Sequence, residues 1–227
     1  MIMANVKPLQ NLDHLNGGTS KRWIWQKGKN YSKSCDYFQK INYCIQDLNH
    51  EIESLSNPSM KEVVFVIVLV DWIREAVNAL PNLLIDGITK EFTYGKHDEL
   101  DRANNYLSAI RSFAVAHPLS TNRHQSYGFD GDKICVDIRS KTSIITQVFT
   151  RDDDWYHLDY DGLTTNAKAV PVDFVLFIYS NQKNKMQFFE YIGADFSDLY
   201  HVAELQIDKL YALDRYLGKL KKRDWLK

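Results

Sequence analysis

Cysteine is scarce in this chain: Cys35, Cys44 and Cys135 are the only three in 227 residues, an odd number at no metal-like spacing. That excludes a disulfide-dense scaffold and a cysteine-built zinc site, so reduced, mostly buried thiols are expected. Charge of one sign is missing too. With 28 basic and 29 acidic residues the formal net charge is −1, so no global field draws the molecule to polyanions and any such site must be a local basic patch. Long apolar runs are absent: the strongest, Val63 to Val70, stops at Asp71, well short of the ~20 residues that span a bilayer. The first residues lack the apolar core of a signal peptide, and no repeat, low-complexity tract or flexible linker interrupts the chain. These absences predict one cytoplasmic domain over residues 1–227, with no membrane partner.

What is present is an ordinary globular composition, 44% hydrophobic and 25% charged, on a chain long enough for a sizeable core. Residues 1–31 read as a polar N-terminal arm, into which "KRWIWQKGKNYSK", Lys21 to Lys33, brings interleaved basic and aromatic residues. Such a mixture can stack on bases while lysines meet phosphates. It can equally dock Trp23 and Trp25 on the core, which is the reading adopted.

Core helices are expected over residues 32–118. Phe38, Ile41, Ile45, Leu48, Ile52 and Leu55 recur at +3/+4 spacing and lay one apolar stripe along the first helix. Ser59 with Glu62 makes a capping box for the second, which should run to about Leu80, where Pro81 ends it. Its first half is apolar all round and should be central. In its second half Asp71, Arg74, Glu75 and Asn78 gather into one polar stripe, either a functional face or a solvated one with an internal Asp71–Arg74 pair. The third helix should begin near Asp98 as its cap, with Leu100, Ala103, Leu107, Ile110 and Ala114 facing inward. Continuing that spacing lands on His117, just before Pro118.

After Pro118 the pattern changes. "KICVDI", "SIITQVF", "WYHLDY" and "VDFVLFIYS" are short β-branched or aromatic runs, predicting a small, mainly antiparallel sheet of three or four strands over residues 130–180. A C-terminal helix over residues 197–223 follows, with Ala203, Ile207, Leu210, Leu213, Leu217 and Leu220 on one side. The fold expected is α+β: a mainly helical bundle with an inserted antiparallel sheet before a long C-terminal helix.

The stretch "LSAIRSFAVAHPLSTNRH", Leu107 to His124, carries the chemistry. Histidine titrates nearest neutral pH, and arginine offers a permanent charge in a planar fork suited to phosphate. Together they are a minimal set for cutting RNA, with the histidine moving the proton and the arginine stabilising charge on the phosphorus centre. Six residues apart on a regular helix, Arg111 and His117 lie about 120° apart around the axis. Pro118 pushes His117 away from helical dihedrals, which places the site at the mouth of the bundle.

The motif "RSFAVAH", an arginine, five intervening residues and a histidine at the end of a core helix, resembles that of the HEPN superfamily, helical-bundle proteins with ribonuclease members. The resemblance covers roughly residues 34–120 and the C-terminal helix, and leaves the sheet unexplained. It implies a metal-independent endoribonuclease that needs no cofactor and uses the RNA's own 2′-hydroxyl as nucleophile. Arg111 and His117 would be catalytic, with an acidic residue on the preceding helix, Glu75 or Asp71 and preferably Glu75, orienting the arginine. It also implies a homodimer with a composite cleft, and a toxin or antiviral role with an antitoxin or other protein as partner. Ser112 fits the polar residue the family often places after the arginine. The alternative is a non-catalytic HEPN-like bundle that binds a protein or nucleic-acid partner.

Two further clusters lie downstream. In "STNRHQSYGFDGDK" Arg123 and His124 are candidate substrate contacts, and Tyr127 or Phe129 could stack on a base, unless the segment is only a connector. In "RDDDWYHLDYDG" Asp152, Asp153, Asp154, Asp159 and Asp161 surround His157. Such groups can bind Mg²⁺ or Mn²⁺, but strand geometry guarantees no oxygen cage, and a solvated hairpin with no metal is the reading adopted.

Overall fold

Helix boundaries here follow from caps, prolines and apolar spacing. The computed structural model describes residues 6–116, 133–140, 147–148, 172–180 and 188–225. Helix α1, Lys27–Glu51, buries Ile41, Cys44, Ile45 and Leu48 along one stripe. It starts and ends earlier than the stripe suggests, and Leu55 is buried from a separate 3-10 turn at Ser54–Ser56.

Helix α2, Met60–Ala79, opens on the expected capping box, in which the Ser59 amide donates to Glu62 Oε2 at 2.5 Å. This satisfies a donor that a first turn otherwise leaves unpaired. Val63, Val66, Ile67 and Val70 are buried, but Met60 and Phe65 are exposed, so the expectation of a wholly central apolar half is corrected: one face of it meets solvent. Pro81 falls inside a 3-10 turn, Leu80–Leu83, where its missing amide hydrogen breaks no helical ladder.

Helix α3, His97–Arg111, has Lys96 in the cap position, so the expectation that Asp98 caps it is corrected. Asp98 and Glu99 lie in the first turn instead, where negative charge suits the helix dipole. The inward stripe of Leu100, Ala103, Leu107, Ile110 and Ala114 is buried throughout. Past Arg111 the helix widens into a π-helical turn, Ser112–Ala116.

Strands β1 (Lys133–Ser140), β2 (Gln147–Val148), β3 (Phe174–Ser180) and β4 (Phe188–Ala194) form a four-stranded sheet in the order β1-β3-β4-β2. β1–β3 and β3–β4 are antiparallel, and β2–β4 is parallel. The mainly antiparallel insertion is therefore present, but it extends past its expected end at residue 180, because Phe188–Ala194, a separate aromatic run beyond the mainly polar residues 181–187, pairs with β3 as β4. The run "WYHLDY" lies outside the described residues. Along β3, Phe174, Leu176 and Ile178 join the helical core, while Val175 packs with Val172 in a small second cluster, the alternation that pleating imposes.

Helix α4, Phe196–Lys219, follows β4 after one residue. A reciprocal clasp fixes that corner: the Asp173 amide donates to Asp195 Oδ1 at 2.9 Å, and the Phe196 amide donates to Asp173 Oδ2 at 3.0 Å. The N-terminal arm docks on the core. Trp25 is buried, its indole Nε1 donating to the Thr19 carbonyl at 3.1 Å, and Trp23 is half-buried. One hydrophobic cluster joins the arm, all four helices and the inner face of the sheet. The architecture is α+β, and among the described residues no helix is long and apolar enough to cross a membrane.

Candidate functional site

The site is built where the polar stripe of α2 meets the C-terminal turn of α3. Asp71 is buried, with its side chain only 4% exposed. A carboxylate taken from water must be paired on both oxygens to be tolerated, and the fold supplies two guanidinium groups. Arg74 Nη2 bonds Asp71 Oδ1, and Arg111 Nε meets Asp71 Oδ2 at 2.6 Å. One negative charge thus holds two positive ones, leaving a local excess of one cation in a molecule whose overall balance is near neutral.

Arg74 is fixed from its other side as well. Its Nη1 donates to Ser108 Oγ at 2.7 Å, Ser108 Oγ donates to the Asn104 carbonyl at 2.7 Å, and Gln206 Nε2 donates to Asn104 Oδ1 at 2.7 Å. The chain of bonds runs from α2 across α3 to the buried Gln206 of α4. At the far end of the stripe, Lys209 Nζ donates to Asn78 Oδ1 at 3.0 Å, and burial pushes the Lys209 ammonium below its ordinary pKa.

Arg111 differs from Arg74 in exposure, 39% against 16% for the side chain. Its contact to Asp71 uses Nε, on the side-on edge of the guanidinium, which is distinct from the end-on edge formed by the two terminal nitrogens. Arg111 stands in the last α-helical turn of α3, directly before the π-helical turn. The π-helical turn then carries Ser112, Phe113 and Ala114 inward. Such turns interrupt the regular ladder and concentrate at functional sites.

The structure brings together Arg111 and Asp71 and leaves Glu75 out. Glu75 is exposed on α2, so the preference for it as orienter is corrected: Asp71 is the carboxylate that reaches Arg111, being turned toward α3. The Asp71–Arg74 pair forms as the sequence allowed, but in a buried setting and not on a solvated face. Ser112 is 5% exposed and sits in the wall of the helix, so it is not placed to meet a substrate directly. His117, Arg123 and His124 lie outside the described residues, as do Tyr127, Phe129 and the aspartate-rich segment around His157. Among the described residues no group of three or more His, Cys, Asp or Glu is placed to hold a metal ion.

Sequence reasoning missed the bonds through Ser108, Asn104 and Gln206. The signal was faint: a single glutamine among the apolar residues of α4 and a serine four positions after an asparagine on α3. No protein-family model, no curated protein and no solved structure matches the chain.

Proposed function

We propose that this protein is a HEPN-like, metal-independent endoribonuclease whose centre is Arg111 and His117. The observation that carries the reading is the Arg111–Asp71 pair: a guanidinium in the last α-helical turn of α3, anchored through Nε by a buried carboxylate at 2.6 Å, with the end-on edge of its fork left for a phosphate. A pre-positioned cation of this kind stabilises charge that gathers on a phosphorus centre.

The reaction balances without a cofactor. The substrate's 2′-oxygen forms a bond to phosphorus and its proton passes to a base. The bond from phosphorus to the 5′-oxygen breaks, and that oxygen takes a proton. The products are a 2′,3′-cyclic phosphate and a 5′-hydroxyl. His117, the residue that follows the π-helical turn in the chain, moves these protons. Asp71 is a positioning residue, and Arg74 neutralises its second oxygen. Two protomers pair in this reading, each contributing its α3 end to a shared cleft, and an antitoxin or other protein is a natural partner for an enzyme that cuts cellular RNA.

The test is incubation of mixed cellular RNA with purified protein in EDTA, wild type beside His117→Ala and Arg111→Ala, with the product ends analysed. The expected result is cleavage that survives chelation, leaves 2′,3′-cyclic phosphates and falls at least a hundredfold in both variants, the scale of losing an acid–base group or a charge-stabilising one. Equal cutting by all three folded proteins would make Arg111 and His117 structural.

A further inference from the structure

Among the described residues most large apolar side chains are buried, and four stand out as exposed: Met60 at the start of α2, and three others. Tyr43 on α1 and Phe65 and Trp72 on α2 are 54%, 36% and 41% exposed. Phe65 and Trp72 are seven residues apart and so share one face of α2. The bordering residues carry charge. Lys40 Nζ of α1 lies 3.4 Å from the centroid of the Trp72 ring, and Lys33 Nζ lies 5.7 Å from that of Tyr37. Lys33, Tyr37 and Lys40 follow at +4 and +3, which puts them in one row along α1. On the opposite side, Asp71 is the neighbour of Trp72 in the chain, turned about 100° around the axis of α2 to hold Arg111. The exposed strip of α2 therefore runs between a row of lysines and the arginine of the proposed centre.

We propose that this strip is a track for single-stranded RNA leading to Arg111, in which Trp72 and Phe65 stack bases while Lys33 and Lys40 meet phosphates. The inference rests on the reading of Arg111 as the phosphate-binding group and adds the substrate's path to it. Charge chooses the ligand. The centre of a protein–protein contact is depleted of lysine, whereas here a lysine stands over an exposed indole and another over the next ring in the row. A strand of flat bases joined by phosphates uses both features at once. A base arriving at Trp72 takes the ring face that Lys40 leaves, or moves the ammonium aside, and in either case the lysine stays beside the incoming phosphate. Asp36, Asp47 and Glu75 are exposed on the same helices, which keeps the positive excess small and the salt dependence shallow.

Binding is measured separately from cleavage, with the full-length protein and a short labelled 2′-O-methyl oligouridylate, whose blocked 2′-oxygen cannot attack. Fluorescence anisotropy is followed against protein concentration at several salt concentrations. Trp72→Ala should weaken binding about tenfold or more, the loss expected of one base–aromatic stack, and Trp72→Phe should restore most of it. Lys33→Ala with Lys40→Ala should lower the slope of log affinity against log salt by about 1.4, the share of two phosphate contacts on a single strand. Wild-type affinity in all these variants, or no binding by the wild type, overturns the track. So does a wild-type dimer that becomes monomeric with Trp72→Ala in light scattering, since the strip would then be a protein interface. Loss of binding in Trp72→Ala without RNA cleavage by the wild type keeps the track and removes the ribonuclease reading. Cleavage by a wild type whose track variants bind normally does the reverse.

Discussion

Asp71 is the residue on which the site turns, and its burial makes its contribution measurable. Replacing it with asparagine removes the charge that holds Arg74 and Arg111 while keeping the shape, and leaves two guanidinium groups facing each other across α2 and α3. Breaking a buried pair costs about 3 kcal/mol or more. Arg111 is 39% exposed and can turn to water, so we expect Asp71→Asn to lower stability by about 2–3 kcal/mol in urea unfolding. Glu75→Gln, on an exposed side chain, should stay within about 0.5 kcal/mol and leave RNA cleavage unchanged. Equal effects of the two would refute the assignment of Asp71. That choice was not legible beforehand. Asp71 and Glu75 are one helical turn apart on the same stripe, and spacing alone does not say which of them faces α3. The rotation of α2 decides it, and that rotation is set by how Val66, Val70 and Ile73 pack against the other helices.

At the scale of elements, most of what could be read came from local signals. The capping box of α2, the stripe of α3 and the stop near Pro81 are each specified by residues a few positions apart, and each is present. The start of α3 is misread even though it is local: Asp98 has the chemistry of a cap, yet α3 begins at His97, and the Leu100 amide already bonds the Lys96 carbonyl at 3.0 Å. The π-helical turn after Arg111 has no local sequence signal; it carries Phe113 and Ala114 into the core. The cap of α2 gives a pH test. The Ser59 amide and hydroxyl hold the Glu62 carboxyl below its ordinary value of 4.5. A depressed carboxyl contributes stability that is present above that ordinary value and is lost as pH falls through the depressed one. Glu62→Ala should therefore cost about 0.5 kcal/mol at neutral pH, with the gap to wild type narrowing as the pH is taken well below 4.5. A gap that is constant with pH would show that the ionised Glu62 contributes nothing to the cap.

For the whole molecule, the arm is the piece that closes the fold, and it does so over a distance no local pattern reveals. Gly17 and Gly18 cross the C-terminal turns of α4. The Gly17 amide, the Thr19 amide and the Thr19 hydroxyl all donate to the buried carboxylate of Asp214, at 2.9, 2.8 and 2.6 Å. Lys21 Nζ donates to the carbonyls of Leu217, Gly218 and Leu220, neutralising the negative end of α4. A methyl group on Gly18 would stand 2.1 Å from Leu217 Cβ and 2.4 Å from its carbonyl carbon. Backbone cannot yield as a side-chain tip can, so Gly18→Ala must lift the arm, strip Asp214 of its donors and loosen Trp25 from its edge-on contact with Phe38 at 6.3 Å. We expect a loss of about 2 kcal/mol or more, together with faster hydrogen exchange at the amides of Thr19 to Trp25, while α2 keeps its protection. Gly95→Ala, where nothing lies within 4 Å of the added carbon, should stay within about 0.5 kcal/mol and serves as the control. Because Arg22 stacks on Tyr31 at 5.1 Å, a lifted arm also frees the start of α1, the helix that carries Lys33 and Lys40. Gly18→Ala should then weaken oligouridylate binding by a few-fold, through the position of α1 and without touching the ligand. Unchanged stability and exchange in Gly18→Ala would mean that the arm does not close the bundle.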